Sequence, residues 1–321
     1  MTVPRELLRG VGWWDGERML RADPADLDRL PGDTGERATV PAGVRIAFTA
    51  RGADAVEIAC TASEPLPADT FRPLHHAFTL LCGDRAVAEA PVDPGSSVVR
   101  LQLPSADGAF AIHLPEALRP VVRSVRLVPD AATLTPAPRA PRWLVYGDSI
   151  AEGWSASRPD LAWPAVAGRA LGLDPVNLGY AGAARGALAC AEQLASLPGE
   201  FITLAFGTNC WSRTPHSAEL LRATVRAFLG TVRRRRPGTP VLVVSPVLRP
   251  DAESTPNALG ATLAELREAV EEAAVSRADD RVQLLPGTGL LRPEHLVDGV
   301  HPGDEGHARI AAAVAEVLRE G

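Results

Sequence analysis

Serine, histidine and aspartate are the side chains that together can activate a hydroxyl, and here they lie in two distant stretches. The first is Arg142-Trp-Leu-Val-Tyr-Gly-Asp-Ser-Ile150. Residues 143–146 are apolar and rich in β-formers, the composition of a fully buried parallel strand. Gly147-Asp148 breaks the run before helix-compatible residues follow. A serine at the C-terminal end of such a strand stands where α/β sheets hold their ligands. Its hydroxyl then lies beside the free N–H groups of a helix start, which suit a developing oxyanion. Gly-Asp-Ser is equally ordinary turn and N-cap chemistry, so the tripeptide alone decides nothing.

A serine nucleophile needs a base, an orienting acid and oxyanion donors. Asp298-Gly-Val-His301-Pro302 offers the first two on one loop. If the chain turns back at Gly299, Asp298 accepts from Nδ1–H of His301 and leaves Nε2 facing Ser149. The alternative is an Asp-Gly turn capping the last helix, with His301 merely exposed. Gly207-Thr-Asn209 ends a buried strand and aims the Asn209 amide into the same cleft. An asparagine side chain is an established type of oxyanion donor. Asn177-Leu-Gly-Tyr-Ala-Gly182 ends the preceding strand, and Gly182 offers an unobstructed backbone N–H. Gly-x-Gly-x-x-Gly is missing after the first strand, and there is no Walker lysine, so a nucleotide site is disfavoured.

The elements that must position these residues follow from pattern. From 142 onward, strands at 143–146, 175–178, 201–206, 241–245 and 281–285 alternate with helical stretches near 161–172, 183–196, 215–236 and 256–278. A last helix spans about 305–320. This is the signature of a parallel sheet with helices on both faces. Ser149, Gly182, Asn209 and Ser245 all fall at strand C-terminal ends. Residues 1–130 read instead as all-β, with short segments at 44–49, 55–60, 76–81, 97–103, 109–114 and 124–128 separated by Gly, Pro and Asp. That rhythm predicts a sandwich or jelly roll. Trp13 and Trp14 precede it, as an aromatic plug closing one end or a ligand-stacking pair. His75, His76 and His113 sit in strand-like runs without a metal-ligand pattern and read as structural. Residues 131–141 are Pro-rich, stiff and extended, and read as a linker or inter-domain strap.

Gly147-Asp148-Ser149, Gly182, Gly207-Thr208-Asn209 and Asp298-Gly-Val-His301-Pro302 together resemble the four blocks of the SGNH/GDSL hydrolases, in family order over residues 142–321. The resemblance implies a flavodoxin-like three-layer α/β/α domain. It implies Ser149 as nucleophile, His301 as base, Asp298 as orienting acid, and an oxyanion hole of the Ser149 N–H, the Gly182 N–H and the Asn209 side chain. No cofactor or metal is implied. Two departures stand out: isoleucine follows Ser149 where the name-giving motif has leucine, a volume-conserving change. Cys210 follows Asn209 where many members have aspartate. A β-sandwich preceding the hydrolase domain resembles several bacterial carbohydrate esterases.

Asp148, Glu152, Trp154, Tyr180, Arg185, Trp211 and Arg213 flank the motifs and are candidates for the substrate pocket, with either tryptophan equally suited to the domain interface. No long apolar lid is visible, which points to a small acyl group, acetyl above all, on a hydroxylated small molecule or carbohydrate. An acyltransferase using the same triad is the alternative, and a non-enzymatic binding protein a third reading. The 33 basic residues are all arginine, and a net charge of −6 argues against nucleic-acid binding. The arginine run at 233–236 reads as a solvated helix end. No stretch reaches membrane-spanning length and the N-terminus lacks a signal-peptide core. Four cysteines without metal-type spacing suit reduced thiols in a cytoplasmic protein. Oligomeric state is not encoded legibly.

Overall fold

The computed structural model of the chain describes residues 3–70, 72–276 and 279–320. Five strands, Arg142–Gly147, Asp174–Gly179, Phe201–Ala205, Val241–Val244 and Val282–Leu285, pair in parallel in the spatial order 2-1-3-4-5. This is the flavodoxin-like order, whose switch point lies between the first and third strands. Side-chain alternation sorts the first strand between two cores. Leu144 and Tyr146 face a cluster with Val176, Ile202 and Phe228, while Trp143 and Val145 face Trp163, Ile310 and Val314. Helices Leu188–Ser196, Ala218–Arg235 and Leu263–Val275 cover the first face; Trp163–Leu171 and Asp304–Glu320 cover the second. Residues 143–146 are all buried to 1% exposure or less, which explains their unbroken apolar run. Trp143 meets its polar requirement by donating from Nε1 to Thr203 Oγ1 at 2.8 Å.

Upstream, two antiparallel sheets enclose a separate core that includes Ile46, Phe48, Ile58, Phe78, Leu101 and Ile112. All six β segments expected there are strands, at Arg45–Arg51, Ala55–Ala62, Ala77–Cys82, Gly95–Gln102, Gly108–His113 and Val121–Val128. A further strand, Arg85–Pro91, escaped the pattern because it is an edge strand with neither face fully buried. The Pro-rich stretch is partly sheet: Thr133–Pro136 pairs antiparallel with Arg45–Arg51. It does so at the edge, where a proline's missing N–H costs no ladder bond.

Not all the N-terminal chain serves the sandwich. Ala22, Leu30 and Ala38 join the α/β core, as does the flank of Trp13, whereas Trp14 packs on the sandwich core. The two tryptophans form a short strand paired with Met19–Leu20 and so face both cores. The arginine run ends its helix, with Arg233 bound to Asp279 at 2.7 Å and Arg236 Nε to the Ala195 carbonyl at 3.0 Å. Among the described residues, no helix is long and apolar enough to cross a membrane.

Candidate active site

Ser149 opens the one-turn helix Ser149–Glu152 directly after the first parallel strand. Asp148 caps it, accepting from Ile150 N at 3.0 Å. Ser149 therefore stands beside the switch point with its backbone N–H in the unpaired first turn. The hydroxyl reaches across 152 residues to His301, with Oγ to Nε2 at 2.9 Å.

The loop carrying His301 folds back on itself. Val297 N–H donates to the His301 carbonyl at 2.9 Å, and Gly303 N–H to His295 O at 2.9 Å. Gly299 adopts φ +80°, the left-handed conformation that lets the chain reverse. Asp298 Oδ1 accepts from the N–H of Val300 at 3.0 Å and of His301 at 2.8 Å, while Oδ2 meets His301 Nδ1 at 2.7 Å. With Asp298 accepting at Nδ1–H, Nε2 is left free to accept from the serine hydroxyl. Partial burial alone would raise the Asp298 carboxyl, but hydrogen bonds from the His301 side chain and backbone hold it below its ordinary value. It thus stays ionised while holding the ring.

Gly182 and Asn209 end the second and third strand–helix turns. Gly182 has φ +71°, and the nearest atom to a methyl group built on it would be Arg213 Nε, at 3.8 Å. Asn209 is 6% exposed and commits one amide hydrogen to the Ala184 carbonyl at 3.3 Å. The carboxamide has two N–H donors, so one remains available. Ser149, Gly182, Asn209 and His301 line one cleft of about 290 Å³, with Trp154, Thr208, Arg213 and Arg249. That volume is at the lower end of small-molecule sites.

Arg37 and Ala68, from the N-terminal half, complete this wall. Sequence reasoning missed both because it confined the site to residues beyond 142. Arg37 reaches the cleft from a buried charge cluster. It forks onto Asp69 at 2.9 and 3.1 Å and contacts both oxygens of Glu152. Arg21 and Arg72 also bond Glu152, at 3.1 and 3.4 Å. The remaining contacts of Glu152 face the cleft: Oε2 accepts from Ala181 N–H at 3.0 Å, beside Gly182, and Oε1 from Trp154 Nε1 at 3.2 Å. Burial would raise the Glu152 carboxyl, but Arg37 and Arg21 hold it well below the usual range. The Trp154 ring lies 5.3 Å from the His301 ring, tilted by 35°.

Five of the seven residues expected in the pocket, Asp148, Glu152, Tyr180, Arg185 and Trp211, are not among its walls. Tyr180 is buried, its hydroxyl donating to the Arg21 carbonyl, so its aromatic ring belongs to the interface between halves. Asp148 lies beneath the cleft, where burial pushes its carboxyl up to about 6; its function there is the helix cap. Trp211 donates to Thr255 O at 2.8 Å and carries the Arg249 guanidinium 4.6 Å from its ring centroid, outside the cleft lining. Trp154 does line the cleft. Arg185 is bound to Asp33 at 2.7 Å. Cys210 is fully buried, and burial pushes its thiol up to about 12, a poor nucleophile. Among the described residues, no group of three or more His, Cys, Asp or Glu is arranged to hold a metal ion.

A family model described as GDSL-like lipase/acylhydrolase matches residues 145–309, more than half of the chain. A search of curated proteins finds no match. Among solved structures, a salicylyl-acyltransferase from a tetracycline biosynthetic pathway is similar with a TM-score of 0.85 at 25% identity, covering 98% of this chain and 94% of that one. A protein described as a GDSL-like lipase from Bacteroides ovatus has a TM-score of 0.81 at 23% identity, over 98% and 96% of the two chains. A family two carbohydrate esterase from Clostridium thermocellum, solved with cellohexaose, has a TM-score of 0.64 at 14% identity, over 86% and 91%. The last two likenesses concern the fold alone. With its four sequence blocks gathered around one cleft and its family model matched over most of the α/β half, the chain belongs to the GDSL-like lipase/acylhydrolase family.

Proposed function

We propose that the protein is a serine esterase that removes a short acyl group, such as acetyl, from a hydroxylated small molecule or carbohydrate. The observation that carries this reading is the unbroken chain of contacts from Asp298 through His301 to Ser149, at 2.7 and 2.9 Å. Ser149 Oγ attacks the ester carbonyl as its proton passes to His301 Nε2. Asp298 keeps the ring oriented and stabilises the imidazolium. The N–H groups of Ser149 and Gly182 and the Asn209 amide hold the tetrahedral oxyanion. His301 then protonates the leaving alcohol, and water repeats the cycle on the acyl-serine. The cleft suits a short acyl group: beside the Trp154 ring, only Ala68, Ala181 and Val300 of its walls are aliphatic. Four unpaired cysteines suit a reducing, cytoplasmic setting.

A second reading is transfer to an alcohol instead of water, through the same acyl-serine. The likeness to an acyltransferase at 25% identity over nearly the whole chain favours keeping it. A fluorophosphonate probe followed by peptide mapping tests the shared intermediate, and modification of Ser149 is the expected result. No adduct there, or an adduct on another residue, defeats both readings. A series of p-nitrophenyl esters is expected to show highest turnover on the shortest acyl chains. Hydrolysis alone in the presence of alcohol acceptors would remove the transfer reading.

A further inference from the structure

We infer that Arg213 selects esters carrying an anionic group, a carboxylate, close to the scissile carbonyl. This rests on the serine-esterase reading and adds the substrate class to it. Three arginines line the cleft with Ser149, Gly182 and His301, and no aspartate or glutamate does. The chain as a whole carries a net charge of −6, so the cleft runs against the protein's own balance. Two of the three guanidiniums are neutralised. Arg37 is held by Asp69 and Glu152. Arg249 forks onto Asp251 at 2.9 and 3.1 Å and stacks on Trp211.

Arg213 differs. It is exposed in the cleft, and among the described residues its side chain has no ion-pair or hydrogen-bond partner. It also stands in the right place. A methyl group built on Gly182 would lie 3.8 Å from Arg213 Nε, so the side chain borders the Gly182 oxyanion donor. Its fixed position follows from Asn209: the one-turn helix Asn209–Ser212 leads directly into Arg213, whose backbone N–H donates to Asn209 O at 2.9 Å. A planar guanidinium with five donors and nothing to bond is suited to receive a carboxylate in a bidentate, charge-assisted contact. A substrate seated with its carbonyl on Ser149 and its carbonyl oxygen at Gly182 would bring substituents a few bonds away against Arg213. The carboxylate can belong to the acyl group or to the alcohol.

Two matched pairs of esters distinguish these sources. For the acyl side, ethyl hydrogen succinate is compared with ethyl butyrate; for the alcohol side, 4-acetoxybenzoate with its methyl ester. The expected result is a kcat/KM ratio favouring the anionic member of one pair by about tenfold or more, weakening as salt rises. Arg213→Gln is expected to bring that ratio close to one, and Arg213→Lys to retain part of it. A wild-type ratio near one in both pairs overturns the inference. So does a preference that survives Arg213→Gln unchanged, including the case where both esters slow equally. If Ser149 takes up the fluorophosphonate probe while neither pair shows a preference, only the Arg213 assignment falls. If Ser149 remains unmodified and no ester is cleaved, the esterase reading itself falls and carries this one with it.

Discussion

Two charged constellations meet at Trp154, and they are built on opposite principles. The Asp298–His301 pair is local, three residues apart on one loop, with the Asp298 side chain half exposed. The Glu152 cluster is non-local and sealed: Arg21, Arg37, Asp69 and Arg72 converge on it from the N-terminal half, with side-chain exposures of 6% or less. An exposed ion pair contributes little to stability, since water and salt screen it. A buried one is costly to break, since removal of one partner strands the others. The contrast separates reactivity from cohesion. In the proposed mechanism the loop pair handles the serine proton at the mouth of the cleft. The sealed cluster ties the helix behind Ser149, through Ala181 N–H, to the oxyanion turn and both to the N-terminal half.

Substitutions on each side test that separation. The largest effect is expected from Ser149→Ala, with ester turnover falling by about 10⁴-fold or more while the melting temperature holds. A large loss of thermal stability in that variant would mean the loop pair is structural after all. Next comes Glu152→Gln, which leaves Arg21 without a carboxylate partner, Arg37 with Asp69 alone, and Arg72 with Asp69 and Glu116. Destabilisation of about 3–5 kcal/mol is expected, read by denaturant unfolding. Turnover should fall with it through the loosened Ala181 turn, and an unchanged unfolding midpoint would make the cluster dispensable.

Asn209→Ala is expected to lower kcat by about 10²–10³-fold with a smaller change in KM, because the donor acts on the transition state. A change confined to KM would contradict that role. The smallest effect concerns His307, six residues beyond His301. Its Nδ1 accepts from Trp163 N–H at 3.3 Å and its Nε2 donates to Trp154 O at 3.0 Å, leaving no site for a second proton. Burial lowers its pKa from 6.5 to about 4. The folded state therefore resists protonation that the unfolded chain accepts, and stability is complete above pH 6.5 and declines as pH falls towards 4. The expected loss is on the order of 2–3 kcal/mol, and His307→Gln should flatten the pH dependence of the melting temperature over that window. An equal slope in wild type and variant would show that other groups carry it.

How much was legible follows the same divide. The strands of the parallel sheet were readable because each is buried on both faces and so is continuously apolar, as in residues 143–146. The sandwich strands were readable as β-prone segments between Gly, Pro and Asp; Arg85–Pro91, with no fully buried face, and the short strands Leu8–Arg9 and Thr133–Pro136 gave no such signal. The local pairing of Asp298 with His301 needs only a turn, and Gly299 announced it. Tyr180 misled because proximity to a motif in sequence says nothing about which side of a strand end a ring takes. Arg37 was invisible for the converse reason: its partner Glu152 is 115 residues away.

By itself, then, the chain's order of residues determined the layers, the strand ends and the four blocks placed at them, since backbone periodicity and turn chemistry are short-range. Which arginines are neutralised, which aromatic faces the cleft and how the N-terminal half buttresses the oxyanion turn were decided only by the fold. Those outcomes depend on which charges share a low-dielectric volume, and that is fixed by three-dimensional neighbours.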